Sequence, residues 1–163
     1  MSAEARLAEL GLTLPPVATP LAAYVPTVRT GALVFTAGQL PLVDGKPTVT
    51  GKVGAEVTAE QATEAARVAV LNGLAAVAAE AGGLDAVARI VKLVVFVSSA
   101  PDFTGQPQVA NGASDLLGEI FGDAGKHARS AVGVAVLPLD ASVELELVVE
   151  TVTEARVQPA QQV

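Results

Sequence analysis

The sequence predicts an α+β domain in which a mixed β-sheet carries two helices on one face. Strand-like runs of β-branched residues alternate with two long segments of helical period, in the order ββ, α, β, α, ββ. A length of 163 residues suits one domain with a sizeable core. Because both helices cover the same face, we expect another subunit to cover the opposite face of the sheet.

The chain is predicted to divide into three segments. Residues 1–20 hold a short amphipathic helix, expected over 2–11, and a proline-rich linker. Residues 21–152 form the domain, and the polar tail 153–163 is expected to be flexible. The acidic N-terminus lacks the basic start of a secretory signal, so a cytoplasmic location is expected.

The domain begins with two predicted strands, over residues 24–29 and 32–38, around the turn Thr30-Gly31. The segment 41–57 is rich in glycine and proline and is predicted to be a loop with one short strand.

The first long helix is predicted to begin after Thr58 and to end near Ala81. Thr58 and Gln61 have the spacing of a capping box, and Gly82 with Gly83 stops the helix. Small residues at helical spacing indicate a face that packs closely on the sheet: Ala62, Ala66, Ala69, Gly73 and Val77.

The second half of the domain is predicted to contain a buried strand over residues 89–99 and a helix over 107–121. The core face of that helix comprises Ala110, Ala113, Leu117 and Ile120. Two strands close the domain, 128–137 and 142–151, and we predict that they pair as a hairpin around 138–141.

Such a hairpin sorts the residues of the last two strands onto two faces. The branched residues predicted to face the core are Val132, Val134 and Val136. Arg129, Glu144 and Glu146 are predicted to share the other face. The small residues on the face of Arg129 are Ala131, Gly133 and Ala135.

Composition argues against several classes of protein. A net charge of −7 and 3% aromatic residues do not fit a nucleic-acid partner. The chain has no cysteine and a single histidine, His127, so neither thiolate chemistry nor a two-histidine metal site within one chain is expected. No uninterrupted apolar run reaches the ~20 residues of a membrane span. A hydrophobic content of 51% indicates apolar surface between subunits.

Two interpretations of Arg129 remain open from the residues alone. The cation pairs with a strand acid, within the subunit or at an interface between subunits. Alternatively, the small residues around it leave room for a ligand whose carboxylate takes two parallel hydrogen bonds from the guanidinium. A nearby glutamate then serves as a general base toward water.

Three segments resemble the RidA/YjgF family of reactive-intermediate deaminases. They are AAYVPTVRTGALVFTAGQLP (22–41), LDAVARIVKLVVFVSSAPDF (84–103) and HARSAVGVAVLPLDASVELE (127–146). The spacing of Arg129, Leu137-Pro138 and the VELE run is the most specific element of the resemblance, which covers residues 20–152 and points to a longer-chain branch of the family.

The resemblance implies a chorismate-mutase-like fold, a homotrimer and three clefts between neighbouring subunits. It implies hydrolysis of small enamines and imines, such as 2-aminoacrylate, to 2-keto acids and ammonia, without a metal or an organic cofactor. Arg129 matches the arginine that binds the substrate carboxylate, and Glu144 matches the acid that activates water. The matched positions that line the cleft are Tyr24, Ala37, Gly38, Asn111 and Ala131.

Three positions depart from the family pattern. Ala131 replaces a cysteine, Gly133 an acid and Ala37 a serine, so the cleft is expected to be wider and less polar. An imine deaminase is therefore the first hypothesis, and a non-catalytic protein that binds small carboxylates or 2-keto acids is the alternative. The endoribonuclease label that the family also carries is the least favoured, because the chain is acidic.

Overall fold

The computed structural model describes residues 1–17 and 23–152. The predicted flexible tail and the end of the predicted linker lie outside the described residues. The helices are α1 (Ala3–Glu9), α2 (Ala59–Ala81) and α3 (Gln106–Phe121). The strands are β1 (Thr27–Thr30), β2 (Leu33–Thr36), β3 (Leu42–Val43), β4 (Lys46–Pro47), β5 (Val87–Ser98), β6 (Ala128–Val134) and β7 (Val143–Thr151).

Five strands form one mixed sheet in the order β1-β2-β7-β5-β6. β5 and β6 run parallel, and the other neighbouring strands run antiparallel. β3 and β4 form a separate two-stranded sheet within the segment predicted to be mostly loop. The α+β class and the mixed sheet predicted from the sequence are confirmed.

The two long helices pack against one face of the sheet, α2 over β2 and β7 and α3 over β5 and β6. The capping box of Thr58 and Gln61 is present, and Gly82 ends α2 with a φ of +86°. The predicted inner faces of both helices are buried. A Cβ at Gly112 in α3 would collide with the backbone carbonyl of Thr63 in α2, so this glycine allows the two helices to cross closely.

By length and mean hydropathy alone α2 could cross a membrane, although no uninterrupted apolar run in the sequence is that long. Within the protein, however, 61% of its most apolar stretch is buried. The helix lies on the sheet and contributes much of the core, which explains its apolar composition without a membrane.

The predicted hairpin between the last two strands is wrong. β6 and β7 do not pair, because β5 lies between them. The connection from β5 to β6 contains the 16-residue helix α3, which is the kind of crossover that a parallel pair requires. The apolar β5 thereby has both of its edges paired inside the sheet, a better place for it than an exposed edge.

The prediction of which residues of β6 face the core is also wrong. Arg129 is level with Leu93 of β5 and Leu147 of β7, both of which point to the helices. Val132 is level with Phe96 and Glu144 on the opposite face and is 44% exposed. Arg129 and the small residues at every second position after it therefore face α3. The valines between them face away from the helices. Those misassigned valines are Val132, Val134 and Val136.

The face of the sheet that carries no helix is called the open face below. It presents apolar side chains to the surface, among them Val28, which is 57% exposed, Phe35, 40% exposed, and Val132. Glu144 and Glu146 of β7 stand on the same face, between β2 and β5. An apolar surface of this kind, spread over several strands, is typical of an interface.

The N-terminal helix α1 packs on α3, and Leu7 of α1 is buried in the core. Glu4 connects the helix to the turn before β5 by two hydrogen bonds. Its carboxylate accepts a hydrogen bond from the Leu84 N–H (3.1 Å), and its own N–H donates to the Asp85 carboxylate (3.0 Å). Leu10, just after the end of α1, is 38% exposed.

Candidate functional site

The guanidinium of Arg129 is held by helix α3. Arg129 lies on the edge strand β6, and its Nη1 donates to Asn111 Oδ1 (2.8 Å) and to Ser114 Oγ (3.0 Å). Its Nη2 donates to the Pro107 carbonyl (3.3 Å). All three acceptors lie in the first three turns of α3, so the helix fixes the plane of the guanidinium against the strand.

Two N–H groups of Arg129 remain unused within the described part of the chain. A guanidinium has five N–H donors, and the three contacts above leave Nε–H and one Nη2–H. No carboxylate of residues 1–17 or 23–152 lies within salt-bridge distance of Arg129. An ion pair with a strand acid of the same subunit is therefore absent among these residues, and the half-buried cation keeps two donors for another anion.

Beyond Arg129 on the same face of β6 lie Ala131 and Gly133. A Cβ at position 133 would lie 2.8 Å from Gln106 Nε2 and 3.1 Å from Ser99 Oγ. The Gln106 amide donates to Ser99 Oγ (3.2 Å) and to the Phe103 carbonyl (2.8 Å). The space expected to widen the cleft at Gly133 thus holds a polar amide from the start of α3.

A second group of predicted site residues lies on the open face, where β7 passes the end of β2. Gln39 and Leu145 exchange backbone hydrogen bonds (2.8 and 3.0 Å), which brings Gly38 alongside Glu144. A Cβ at Gly38 would collide with the Glu144 carboxylate, so only glycine permits this contact. Since Gly38 has no side chain, its backbone stands next to the carboxylate.

The backbone groups of Ala37 and Gly38 differ in whether they are free to form a hydrogen bond with a ligand. The Ala37 N–H donates to the Pro26 carbonyl (2.8 Å), and the Ala37 carbonyl accepts from the Gln39 side chain (3.2 Å). Within the described residues, the Gly38 N–H has no acceptor. Of the two positions matched to the cleft, Gly38 is the one with a free donor for a ligand.

The pKa of the Glu144 carboxyl is raised above its ordinary value. Burial is the main cause, because the half-buried carboxylate has lost part of its hydration, and the negative charge of Glu146 adds to it. A carboxylate with a raised pKa is a stronger base toward water than an ordinary exposed one. Glu144 therefore has the electrostatic environment that a general base needs.

Tyr24 lies just before β1 and is half-exposed. In the described residues its hydroxyl makes no hydrogen bond. β1 and β6 are the two opposite edges of the sheet, so Tyr24 and Arg129 are far apart in one subunit.

The structure thus divides the predicted site residues into two groups. The Arg129 group, Arg129 with Asn111 and Ala131, lies between β6 and α3. The Gly38 group, Gly38 with Ala37 and Glu144, lies on the open face. β6 and β7 are two strand spacings apart, about 10 Å, and the side chains of Arg129 and Glu144 point to opposite faces. The prediction that Arg129 shares a face with Glu144 and Glu146 is wrong, because it relied on the hairpin.

Sequence reasoning missed two residues beside Arg129. Ser114 follows Asn111 by three positions, the spacing that puts two side chains on one face of a helix. His127 precedes Arg129 by two positions, the spacing of one face of a strand. Both signals were in the sequence, but only the packing of α3 on β6 shows that they converge on the guanidinium.

A cavity of about 350 Å³ lies beside these residues, and its lining includes Ser114, Lys126, His127 and Arg129. Its lining contains no acidic side chain. Among residues 1–17 and 23–152, no three His, Asp or Glu side chains are grouped to hold a metal ion.

The fold and the site residues define a class of protein. The sequence model of the family described as "YjgF/chorismate mutase-like, putative endoribonuclease" matches residues 4–151. The chain therefore belongs to this family, and the resemblance seen in its sequence is confirmed.

Individual relatives cover most of the chain. Protein TCP17 of Trypanosoma cruzi is 47% identical over 147 residues, 90% of this chain and 92% of its own length. Atu1372 from Agrobacterium tumefaciens, a protein described as of unknown function, has a solved structure and is 45% identical to this chain. The two structures superimpose with a TM-score of 0.84, and the match covers 91% of each chain. The 2-iminobutanoate/2-iminopropanoate deaminase of Salmonella typhimurium is 38% identical over 125 residues, 77% of this chain and 84% of that enzyme.

Proposed function

We propose that this protein is a hydrolytic deaminase of small 2-imino acids and their enamine tautomers, and that it releases 2-keto acids and ammonia. One observation carries the proposal: Arg129 is fixed by α3, has no carboxylate partner in the described residues, and keeps two N–H donors on adjacent nitrogens. Such a guanidinium is suited to bind a substrate carboxylate through two hydrogen bonds. A relative 38% identical to this chain bears the name of a 2-imino acid deaminase.

Glu144 supplies the base in this proposal. The substrate enters as the protonated imine. The Glu144 carboxylate takes a proton from water while the water oxygen bonds to the imine carbon, and the π electrons of the C=N bond move to the nitrogen, which gives a neutral carbinolamine. Glu144 then gives its proton to the amino nitrogen and the C–N bond breaks as ammonia leaves. The hydroxyl proton passes to Glu144 as the C=O bond of the 2-keto acid forms, and Glu144 releases that proton to solvent. The free Gly38 N–H, next to the carboxylate, is available to hold the substrate or the water.

The site is proposed to lie between two copies of the chain. The Arg129 group and the Gly38 group face different directions in one subunit, so a single copy cannot present both to one small substrate. The apolar open face that carries Glu144 is suited to be covered by a neighbouring copy. In a closed ring of three copies, each cleft then combines the Arg129 group of one copy with the Gly38 group of the next.

A non-catalytic 2-keto acid binding protein is the second candidate. The observation that favours it is the replacement of polar family residues by Ala37, Ala131 and Gly133, which leaves fewer groups in the cleft to stabilise a transition state. The endoribonuclease activity named in the family description is not our proposal, because a net charge of −7 opposes binding of a polyanion.

A coupled assay tests the proposal. A PLP-dependent threonine dehydratase generates 2-aminocrotonate in situ, and release of 2-ketobutyrate is followed with and without this protein. We expect acceleration by the wild type and none by Arg129→Ala or Glu144→Gln. If the wild type binds 2-ketobutyrate in a calorimeter but does not accelerate its release, the binding-protein candidate replaces the deaminase.

A further inference from the structure

A continuous line of hydrogen bonds runs from Arg129 through two residues that have no role in the proposed reaction. Arg129 Nη1 donates to Ser114 Oγ (3.0 Å), and Ser114 Oγ lies 3.0 Å from His127 Nε2. His127 Nδ1 lies 2.6 Å from the carbonyl oxygen of Gly125. We call this line the Ser114–His127 relay.

With a neutral imidazole, the chemistry of the four groups fixes the direction of every bond. The Gly125 carbonyl can only accept, so His127 carries its proton on Nδ1. The Nε2 of the neutral ring is then an acceptor and takes the hydroxyl proton of Ser114. With its proton directed to His127, the Ser114 oxygen presents its lone pairs to Arg129 and acts as an acceptor for the guanidinium.

The fold builds this relay from segments distant in sequence. Gly125 belongs to the turn after α3, and a Cβ at that position would collide with the Leu117 carbonyl of the helix. Glycine at 125 therefore lets the turn fold against α3, where its carbonyl meets the imidazole. Ser114 reaches the same point from the helix and His127 from the start of β6.

We propose that Ser114 and His127 are positioning residues that hold the Arg129 guanidinium in the orientation that binds a carboxylate. This inference rests on the proposed function of Arg129 as the carboxylate-binding residue. Without His127 the Ser114 hydroxyl is free to rotate and to compete as a donor, and without Ser114 one of the three anchors of the guanidinium is lost. The ligand then has to order Arg129 at the moment of binding, which weakens affinity.

Binding measurements on single variants test the relay. With 2-ketobutyrate in a calorimeter, we expect Ser114→Ala to raise Kd by about fivefold and His127→Phe by about threefold, the loss of roughly one ordinary hydrogen bond. Ser114→Thr keeps a hydroxyl at this position and is expected to stay within about twofold of the wild type. In the coupled assay KM should rise in the two weakened variants while kcat is unchanged, because carboxylate binding is common to ground and transition states.

A double-mutant cycle separates a relay from two independent structural roles. If His127 acts through Ser114, His127→Phe should have no further effect on Kd in the Ser114→Ala background. Asp115→Ala, an exposed neighbour in α3, is the matched control and should change neither Kd nor the melting temperature. Additive effects of the two variants, or Kd changes that only follow a lower melting temperature, would overturn the positioning role.

The single histidine of the chain allows a direct spectroscopic test. In ¹⁵N-labelled protein at a pH where the imidazole is neutral, we expect His127 to be protonated on Nδ1 and bare on Nε2. Protonation on Nε2 instead would show that the relay is not formed. If Arg129→Ala abolishes binding of 2-ketobutyrate but both relay variants bind normally, the positioning role fails and the proposed function stands. If the wild type neither binds 2-ketobutyrate nor accelerates its release in the coupled assay, both fail.

Discussion

At the scale of residues, the central feature is a cation that is anchored on one side and unpaired on the other. Arg129 uses three of its donors on α3 and keeps Nε–H and one Nη2–H. A lysine has a compact ammonium and cannot both reach those anchors and make a two-point contact with a carboxylate.

Arg129→Lys is therefore expected to weaken binding of 2-ketobutyrate at least about tenfold, since each charge-assisted hydrogen bond contributes roughly 1.5–3 kcal/mol. Titration calorimetry measures this directly. Arg67→Lys is the matched control, because Arg67 forms a surface ion pair with Glu119 (3.4 Å) away from the site. An unchanged affinity in Arg129→Lys would argue against carboxylate binding by the guanidinium.

The raised pKa of Glu144 predicts the acid side of the pH–rate profile. A general base must be deprotonated, so kcat/KM should fall as the pH drops through the pKa of Glu144, which lies above the ordinary value of 4.5. Glu146 contributes to the raised pKa by charge repulsion, so Glu146→Gln should move this fall to lower pH. Burial, the larger cause, remains in the variant, and the fall should stay above pH 4.5. A profile that does not move in Glu146→Gln would contradict the electrostatic coupling.

At the scale of elements, glycines that allow two backbone segments to approach closely set the geometry of the site. α3 carries the anchors of Arg129, and its position depends on the crossing with α2 at Gly112. Gly112→Ala places a methyl group against the Thr63 carbonyl and is expected to cost about 1–3 kcal/mol of stability. Gly118→Ala, in the same helix but with open space around its Cα, is expected to be neutral or to stabilise by up to roughly 1 kcal/mol. Thermal unfolding compares the two, and equal losses would contradict the close crossing.

The helices were predicted well from the sequence because their signals are local. Thr58 and Gln61 mark the start of α2 and Gly82 marks its end, each by a signal confined to a few neighbouring residues. The predicted face of small residues is buried. Strand pairing was not predictable in the same way, because it depends on which strands meet after the helices have packed. β5 sits between β6 and β7, and no pattern within 128–151 reveals that.

The same distinction applies to the candidate site. Arg129 and Glu144 are recognisable from the resemblance of their segments to the family, and Gly38 stands beside Glu144 in the structure. The predicted face of Arg129 was wrong because it was inferred from pairing with β7, whereas β6 pairs with β5. Ser114 and His127 meet Arg129 only through the packing of α3 and the following turn on β6.

At the scale of the whole molecule, one copy of the chain carries the Arg129 group and the Gly38 group on opposite faces of its sheet, and the open face is apolar. If neighbouring copies cover that face, a charge placed in its middle should separate them. Phe35→Asp is expected to convert a species of three times the chain mass of 16.3 kDa into monomers, as measured by analytical ultracentrifugation, and to abolish deaminase activity. A control substitution on the exposed side of α2, Glu64→Gln, should leave the mass unchanged. A wild-type protein that is monomeric at the assay concentration would contradict the shared cleft.

The most direct test of a cleft shared between copies is subunit complementation. Arg129→Ala and Glu144→Gln copies, each inactive alone, are mixed under conditions in which subunits exchange, and 2-ketobutyrate release is measured in the coupled assay. With random assembly in a ring, roughly a quarter of the clefts pair an intact Arg129 from one copy with an intact Glu144 from its neighbour, so about that fraction of wild-type activity should return. If mass spectrometry shows mixed oligomers and the activity remains that of the separate variants, the two groups do not act in one cleft between copies.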